Sequence, residues 1–336
     1  MPLTSLTDNL LFGLSERQRD AVTHIDGPLL IIAGPGSGKT RVMAHRVAYL
    51  IGVTGVPPWK ILAVTFTNKA ARELLERCER LVGSGSNELQ VRTFHGFCSR
   101  VLRSDGENVG LKSDFTIYDP DDQARVTRRI LEDIDIDPKQ FPPRSVLGVI
   151  SDAKNNLQSP EHLSKRTETY RDEVISRIYE AYEASLLRAN AVDFDDLLLK
   201  TYTLLEGHPE MLEKYQQRFE HLLVDEFQDT NPLQFQVARL LALKSRNICV
   251  VGDPDQSIYS WRHADPSNLT DFQSTFNETK IVTLDQSYRS TQIILEAADS
   301  VIGNNDERME KNLWTENDRG ARITVAEAYN EEEEAR

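Results

Sequence analysis

Five short apolar runs punctuate the first 280 residues: "PLLIIAG" from Pro28, "KILAVTF" from Lys60, "LQVRTF" from Leu89, "HLLVDE" from His221 and "NICVVGD" from Asn247. Such runs, bounded by polar turns, predict strands buried inside a sheet. Helical patterns follow most of them. "SGKTRVMAHRVAYLI" comes after the first run, and "NKAARELLERCERL" after the second, with Asn68 as its cap. Strand, turn and helix in alternation predict an α/β fold, a parallel sheet covered by helices. Between residues 109 and 190 the pattern changes. "DPDDQARVTRRILEDI", "PRSVLGVISDAKNN" and "YRDEVISRIYEAYEASLLRAN" are helical, charged and uninterrupted by a strand run. They predict an all-helical insertion between two parts of the sheet domain, residues 1–108 and 191–279. After Lys280, "IVTLDQSYRSTQIILEAADSVI" starts another strand–helix unit, spanning 280–336. "ARITVAEAY" reads as a further strand, and "EEEEAR" as a solvated run or a helix start.

Composition narrows the class only slightly. No window approaches 18 apolar residues, so no membrane span is expected. The N-terminal stretch lacks a basic segment followed by an apolar core, so it does not read as a signal peptide. Cys78, Cys98 and Cys249 are scattered and form neither a disulfide framework nor a zinc pattern, which suits the cytoplasm. The net charge of −14 argues against a polyanion spread over the whole surface. It leaves room for a local groove lined by aromatics.

The sharpest chemistry lies in "AGPGSGKT", Ala33 to Thr40, between a strand and a helix. Backbone amides of Ala33, Gly34, Pro35, Gly36, Ser37 and Gly38 form a loop whose N–H groups, proline's excepted, can turn toward phosphate oxygens. Lys39 would reach the β- and γ-phosphates, and the Thr40 hydroxyl would bind Mg²⁺. A second acid must order the metal. In "LLVDEFQDTN" the apolar strand ends at Asp225, which would hold Mg²⁺, while Glu226 would orient an attacking water as general base. "DFDDLL" holds Asp193, Asp195 and Asp196. These read as a helix start favoured by the helix dipole, outside any catalytic role.

Seven segments now stand in one order: "AGPGSGKT", "AVTFTNKAA", "TFHGFC", "DFDDLL", "VDEFQDTN", "GDPDQSIYSWR" and "QSYRS". Together they resemble the motif series of superfamily 1 DNA helicases of the UvrD/Rep/PcrA type, and "LSERQRDAV" resembles that family's Q motif. The resemblance implies a RecA-like domain 1A carrying a helical insertion 1B, and the start of a second RecA-like domain 2A near Lys280. It implies that Gln18 recognises the adenine edge, Tyr288 stacks on the ring, Arg289 reaches the γ-phosphate as an arginine finger and Arg41 approaches the nucleotide. The family usually carries Asn where this chain has Ser287, a position that would tune the turn.

On the nucleic-acid side, aromatics that stack on bases give grip without sequence preference. The resemblance assigns base contacts to Phe66, Tyr259 and Trp261, and contacts to the strand to Thr93, His95 and Arg262. Phe94, Phe97 and Phe227 read as core. Gln256 would sense the γ-phosphate a few residues before the aromatics, so that one loop touches both ligands.

The function implied is an ATP- and Mg²⁺-dependent 3′-to-5′ translocase on single-stranded or 3′-tailed duplex DNA, in repair or replication. Later motifs of the family are absent, so the chain reads as an N-terminal portion with weak turnover of its own. The alternatives are a fragment that binds nucleotide or DNA without turnover, and the helicase part of a helicase–nuclease.

Overall fold

The structure is a computed structural model that describes residues 3–165, 169–259, 261, 263–265, 267–305 and 311–335. Its strands are β1 (Leu29–Ala33), β2 (Ile61–Thr65), β3 (Gln90–Thr93), β4 (Thr116–Ile117), β5 (Ala191–Val192), β6 (His221–Val224), β7 (Ile248–Gly252) and β8 (Lys280–Leu284). Six of them form one sheet in the order β3-β2-β6-β7-β1-β8, with every neighbouring pair parallel. The apolar runs are unbroken because both faces are covered. Leu30 and Ile32 of β1 join one core with Leu62, Val64, Val224 and Val250. Leu29 and Ile31 point the other way, into a second core with Ile61, Ala63, Leu223 and Val251. Alternation of side chains along a strand thus feeds two layers of helices from one apolar sequence.

The helical unit is built on Pro120–Asp133, Pro143–Asn155, Pro160–Lys165 and Tyr170–Arg188. Its core of Leu131, Ile150, Ile178 and Tyr182 is separate from those of the sheet. The expectation of an all-helical insertion holds apart from a two-residue parallel ladder, β4 with β5, which pairs Thr116 with Ala191 where the chain enters and leaves.

A buried lysine ties this unit to the sheet domain. Lys154 is fully buried, with Nζ 2.7 Å from Glu183, 2.8 Å from Asp193 and 2.8 Å from Asp196. Burial opposes its charge, but the carboxylates of Asp196, Asp193 and Glu183 outweigh that cost and raise its pKa well above the usual value. Asp193 also caps the helix Phe194–Gly207, and with Asp196 it completes a capping box. The three acids of "DFDDLL" do form a helix start, as their pattern predicts. Their second role depends on a lysine some forty positions earlier, beyond the reach of any local pattern.

Three local expectations are corrected. The cap of the helix Asn68–Val82 is Thr67, whose hydroxyl accepts from the Ala70 N–H, and Asn68 is the first helical residue. "ARITVAEAY" joins no ladder among the described residues, and Val325 and Tyr329 are almost fully exposed. A strand needs a neighbour, and propensity cannot supply one. The strand after Glu278 was expected to open a second unit at residue 280. Instead β8 pairs with β1 from Leu29 opposite Lys280 to Ala33 opposite Leu284. The first sheet therefore runs past residue 280, because pairing partner and not strand pattern decides which sheet owns a strand.

Lys154→Met is expected to destabilise the fold by about 3–5 kcal/mol, since it strands buried carboxylates without a counter-ion. Urea unfolding followed by circular dichroism checks this; a loss below about 1 kcal/mol would show the cluster to be dispensable.

Candidate functional site

Parallel strands place all their C-terminal ends on one rim, and the candidate residues follow those ends. Phe66 follows β2 and Thr93 ends β3. Asp225 and Glu226 follow β6, Asp253 follows β7, the glycine-rich loop follows β1, and Gln286 to Arg289 follow β8.

The loop after β1 is held by its own bonds. Ser37 Oγ donates to the Gly34 carbonyl at 2.7 Å, and the Gly34 N–H donates to Leu284 of β8 at 3.1 Å. Gly36 has a φ of 75°, a conformation in which a side chain is strained. A Cβ there would also lie 2.7 Å from both Arg289 Cβ and Ser287 Oγ. Gly38 caps the helix Lys39–Gly52, which starts with Lys39, Thr40 and Arg41. Its N-terminal N–H groups and dipole face the loop, which suits an anion.

Lys39 pairs with Glu226 at 3.1 Å. Glu226 reaches it from a left-handed backbone, φ 49° and ψ 49°, unusual for a residue with a side chain. That conformation lets Glu226 meet Lys39 while its own N–H faces the Asp225 carboxylate. Asp225 is buried, and its Oδ1 accepts the Glu226 N–H at 3.1 Å. Burial, helped by the charge of Glu226 and opposed by Lys39, pushes its carboxyl up to about 7. An acid so short of positive charge fits a divalent cation. With the Thr40 hydroxyl it offers hard oxygen donors, and phosphate oxygens would have to complete the coordination. Among the described residues no cluster of three acidic, His or Cys ligands could hold a metal alone.

The bonds continue from Glu226 into the next loop. Gln228 Nε2 donates to Glu226 Oε2 at 2.9 Å, and Gln228 Oε1 accepts the Asp253 N–H at 2.9 Å. Gln256 Nε2 in turn donates to Asp253 Oδ2. Sequence reading picked out Gln256 but missed Gln228 and Asp253. Gln228 lies in "VDEFQDTN", two positions past Glu226, and only folding shows that its amide spans two strands.

A cleft of about 290 Å³ lies beside the loop, lined by Gln18, Ser37, Leu284, Gln286, Tyr288 and Trp314 among others. Gln18 is buried, and its Nε2 donates to the Ser37 carbonyl at 2.9 Å while its Oε1 accepts from Ser15 N–H. Tyr288 is half exposed, and its N–H donates to the Gly36 carbonyl at 2.9 Å. Ser287 Oγ accepts from Arg289 and Ser290, forming the turn that aims Arg289. Arg41 is not part of this cleft; its guanidinium lies against Gly13. Trp314 was missed, because its place in the wall depends on a backbone bridge to Gln286.

A second cleft, of about 500 Å³, opens on the same rim between the sheet and the helical unit. Phe66, His95, Phe194 and Trp261 line it, together with Asn155, Asp229 and Asn231. Phe66 and Tyr259 rings stand 4.9 Å apart at 30°, and Tyr259 to Trp261 6.1 Å apart, so the three aromatics form one ladder. Trp261 is about two-thirds exposed. His95 meets Phe194 edge-on at 5.9 Å. Thr93 is not in this cleft. Its hydroxyl caps the helix Phe94–Asp105, and it lines a shallow depression at the sheet edge beside Arg72 and Arg92. Arg262 lies outside the described residues. Phe94, Phe97 and Phe227 are core, as read.

Comparison with known families agrees with the α/β fold. The UvrD/REP helicase N-terminal domain family matches residues 14–277, and the UvrD-like helicase C-terminal domain family matches residues 282–336. The chain is 48% identical over 326 residues to the ATP-dependent DNA helicase PcrA of Bacillus subtilis, covering 97% of this chain and 44% of that protein. It is 46% identical to the protein of that name from Leuconostoc citreum, covering 98% of this chain and 44% of the relative. For the one from Staphylococcus aureus the identity is 47%, over 97% of this chain and 45% of the relative. The chain thus spans less than half the length of these curated relatives.

The Asp225 carboxyl gives a pH test. It ionises near 4 in an unfolded chain and near 7 in the fold, so the folded state binds the extra proton between those values and loses stability as pH rises through them. Without nucleotide or metal, Asp225→Asn should be more stable than the unsubstituted chain by about 2–4 kcal/mol at pH 8. The gap should shrink toward pH 5. Thermal unfolding at the two pH values checks this, and an equal gap at both rejects it.

Proposed function

The chain belongs to the UvrD/REP helicase family, and from that membership we propose that it carries the nucleotide site and the track site of an ATP-driven translocase on single-stranded DNA. The observation that carries this reading is the unbroken bonded path from Lys39 through Glu226, Gln228 and Asp253 to Gln256, three residues before the Phe66–Tyr259–Trp261 ladder. It joins a phosphate-binding loop to a base-stacking surface within one rigid sheet edge.

The chemistry follows from these residues. Without nucleotide, Lys39 neutralises Glu226. Triphosphate entering the loop competes for Lys39 and draws it away. Glu226 is then free to orient water and take its proton during attack on the γ-phosphorus. Mg²⁺, held by Thr40 and Asp225, would neutralise charge on the phosphates when bound. Arg289 approaches across Gly36 and stabilises charge on the transferring phosphoryl group. Gln18 and Tyr288 hold the adenine. Loss of the γ-phosphate rearranges the hydrogen bonds of Gln256, and the aromatics on the same loop loosen or tighten on the bases. His95 supports the strand in the cleft, and Thr93 does so only through the helix it caps. The preferred track is single-stranded or 3′-tailed duplex DNA, travelled 3′ to 5′, in cytoplasmic DNA repair or replication. A second RecA-like domain, 2A, begins beyond β8. No described helix is long and apolar enough to cross a membrane.

Steady-state ATPase with and without single-stranded DNA tests the reading, on this chain and on one carrying the further length of its relatives. Lys39→Ala and Glu226→Gln should each lower turnover by about 100-fold or more. Trp261→Ala should lose the stimulation by DNA, so that its rates with and without DNA coincide. Turnover that survives both nucleotide-site changes sinks the proposal. Gln256→Ala should retain DNA binding but respond to nucleotide with less change in DNA affinity; DNA affinities measured with ADP and with an ATP analogue report this, and an unchanged response rejects the coupling.

A further inference from the structure

The segment from Lys311 to Trp314 folds back over the phosphate loop. Trp314 N–H donates to the Asp285 carbonyl at 3.1 Å, and its carbonyl accepts from Ser287 at 2.8 Å, which pins the segment beside the Gln286–Arg289 stretch. Leu313 lies so close to the loop that a Cβ on Gly34 would be 2.3 Å from its Cδ2. Lys311 is buried, and its Nζ forms ion pairs with Asp253 and, at 3.0 Å, with Asp255. Asp253 is wholly buried and uses its other oxygen to hold the Gln256 amide. One carboxylate therefore joins a buried ammonium to the amide expected to sense the γ-phosphate.

Burial lowers the Lys311 pKa to about 8, with the positive charge of Lys39 as the second cause. Two ammonium groups thus feel each other beside a loop that presents N–H groups. Each is held by carboxylates, Lys39 by Glu226 and Lys311 by Asp253 and Asp255. A polyanion entering the loop competes with both sets of carboxylates.

We propose that Lys311 is a γ-phosphate-binding residue whose ammonium passes from Asp253 to the terminal phosphate of a nucleoside triphosphate, releasing Asp253 and with it Gln256. This rests on the nucleotide-site reading above and deepens it: Lys311 makes the site distinguish triphosphate from diphosphate. Lys39 keeps the β-phosphate that both nucleotides carry even where the γ-phosphate is missing, whereas Lys311 answers only to the third.

Equilibrium binding of ADP and of a non-hydrolysable ATP analogue, each with Mg²⁺, tests this on the 336-residue chain without need of turnover. Lys311→Met should weaken the analogue by about tenfold and ADP by less than about twofold, and Lys311→Arg should restore most of the difference. A purely structural lysine would weaken both nucleotides alike. Should Lys311→Met fail to fold, Asp253→Asn gives the opposite sign: with one of its two holding carboxylates neutralised, Lys311 is held by Asp255 alone and passes more readily to phosphate, and preference for the analogue over ADP should rise. Equal losses for both nucleotides in Lys311→Met, or an unchanged preference in Asp253→Asn, overturns the proposal. Binding of either nucleotide at full strength after Lys39→Ala overturns the nucleotide-site reading instead.

Discussion

The parallel register of six strands is the constraint on which the remainder depends. Parallel strands share a direction, so their C-terminal ends, and the loops that follow, fall on one edge. In the order β3-β2-β6-β7-β1-β8, the strand that ends before Asp253 lies between the one that leads into the phosphate loop and the one that ends before Asp225. That middle position lets Gln228 bridge Glu226 and Asp253. An antiparallel neighbour would have sent one of these loops to the far side of the sheet.

The rim also carries two chemistries side by side. Charge collects around the loop after β1, where Lys39, Glu226, Asp225 and Lys311 stand partly or wholly out of water. Low local polarity makes each of these groups sensitive to its neighbours, which is why burial moves the Asp225 carboxyl up and the Lys311 ammonium down. Aromatic surface collects on the other half, beyond β2 and the loop after β7. The hydrogen-bonded Gln228 and Asp253 lie between them. The helical unit closes the aromatic cleft from outside, and Lys154 fixes it there through buried carboxylates of the sheet domain.

Much of this was legible in the chain. Apolar runs at Leu29, Ile61, His221 and Ile248 became buried strands because an unbroken apolar stretch is stable only with both faces covered, whereas Gln90–Thr93, read with them as buried, is a half-buried strand at the sheet edge. "AGPGSGKT" declared itself through glycine spacing, since close approach and positive φ leave few other residues possible. The acids of "DFDDLL" capped a helix, as short polar side chains before an apolar run do. Each of these is a local fact, decided within a few residues.

Contacts between segments distant in sequence were decided only by folding. Whether Lys280–Leu284 belonged to the first sheet depended on the edge β1 offered it, and "ARITVAEAY", with similar strand character, found no such edge among the described residues. Thr93 and Phe66 both stand at strand ends, yet one caps a helix at the sheet edge and the other enters the aromatic ladder. Lys154 and Lys311 carry no motif that announces them, and the motif that holds Gln228 does not show what its amide spans; their partners are brought near by strand order and helix packing. The sequence by itself determined which short segments could bind phosphate, bend into turns or form strands, because those depend on local backbone freedom and side-chain pattern. Tertiary structure alone decided which charges lost their water and which partner each one found, because desolvation and pairing belong to the packed molecule and not to any stretch of it.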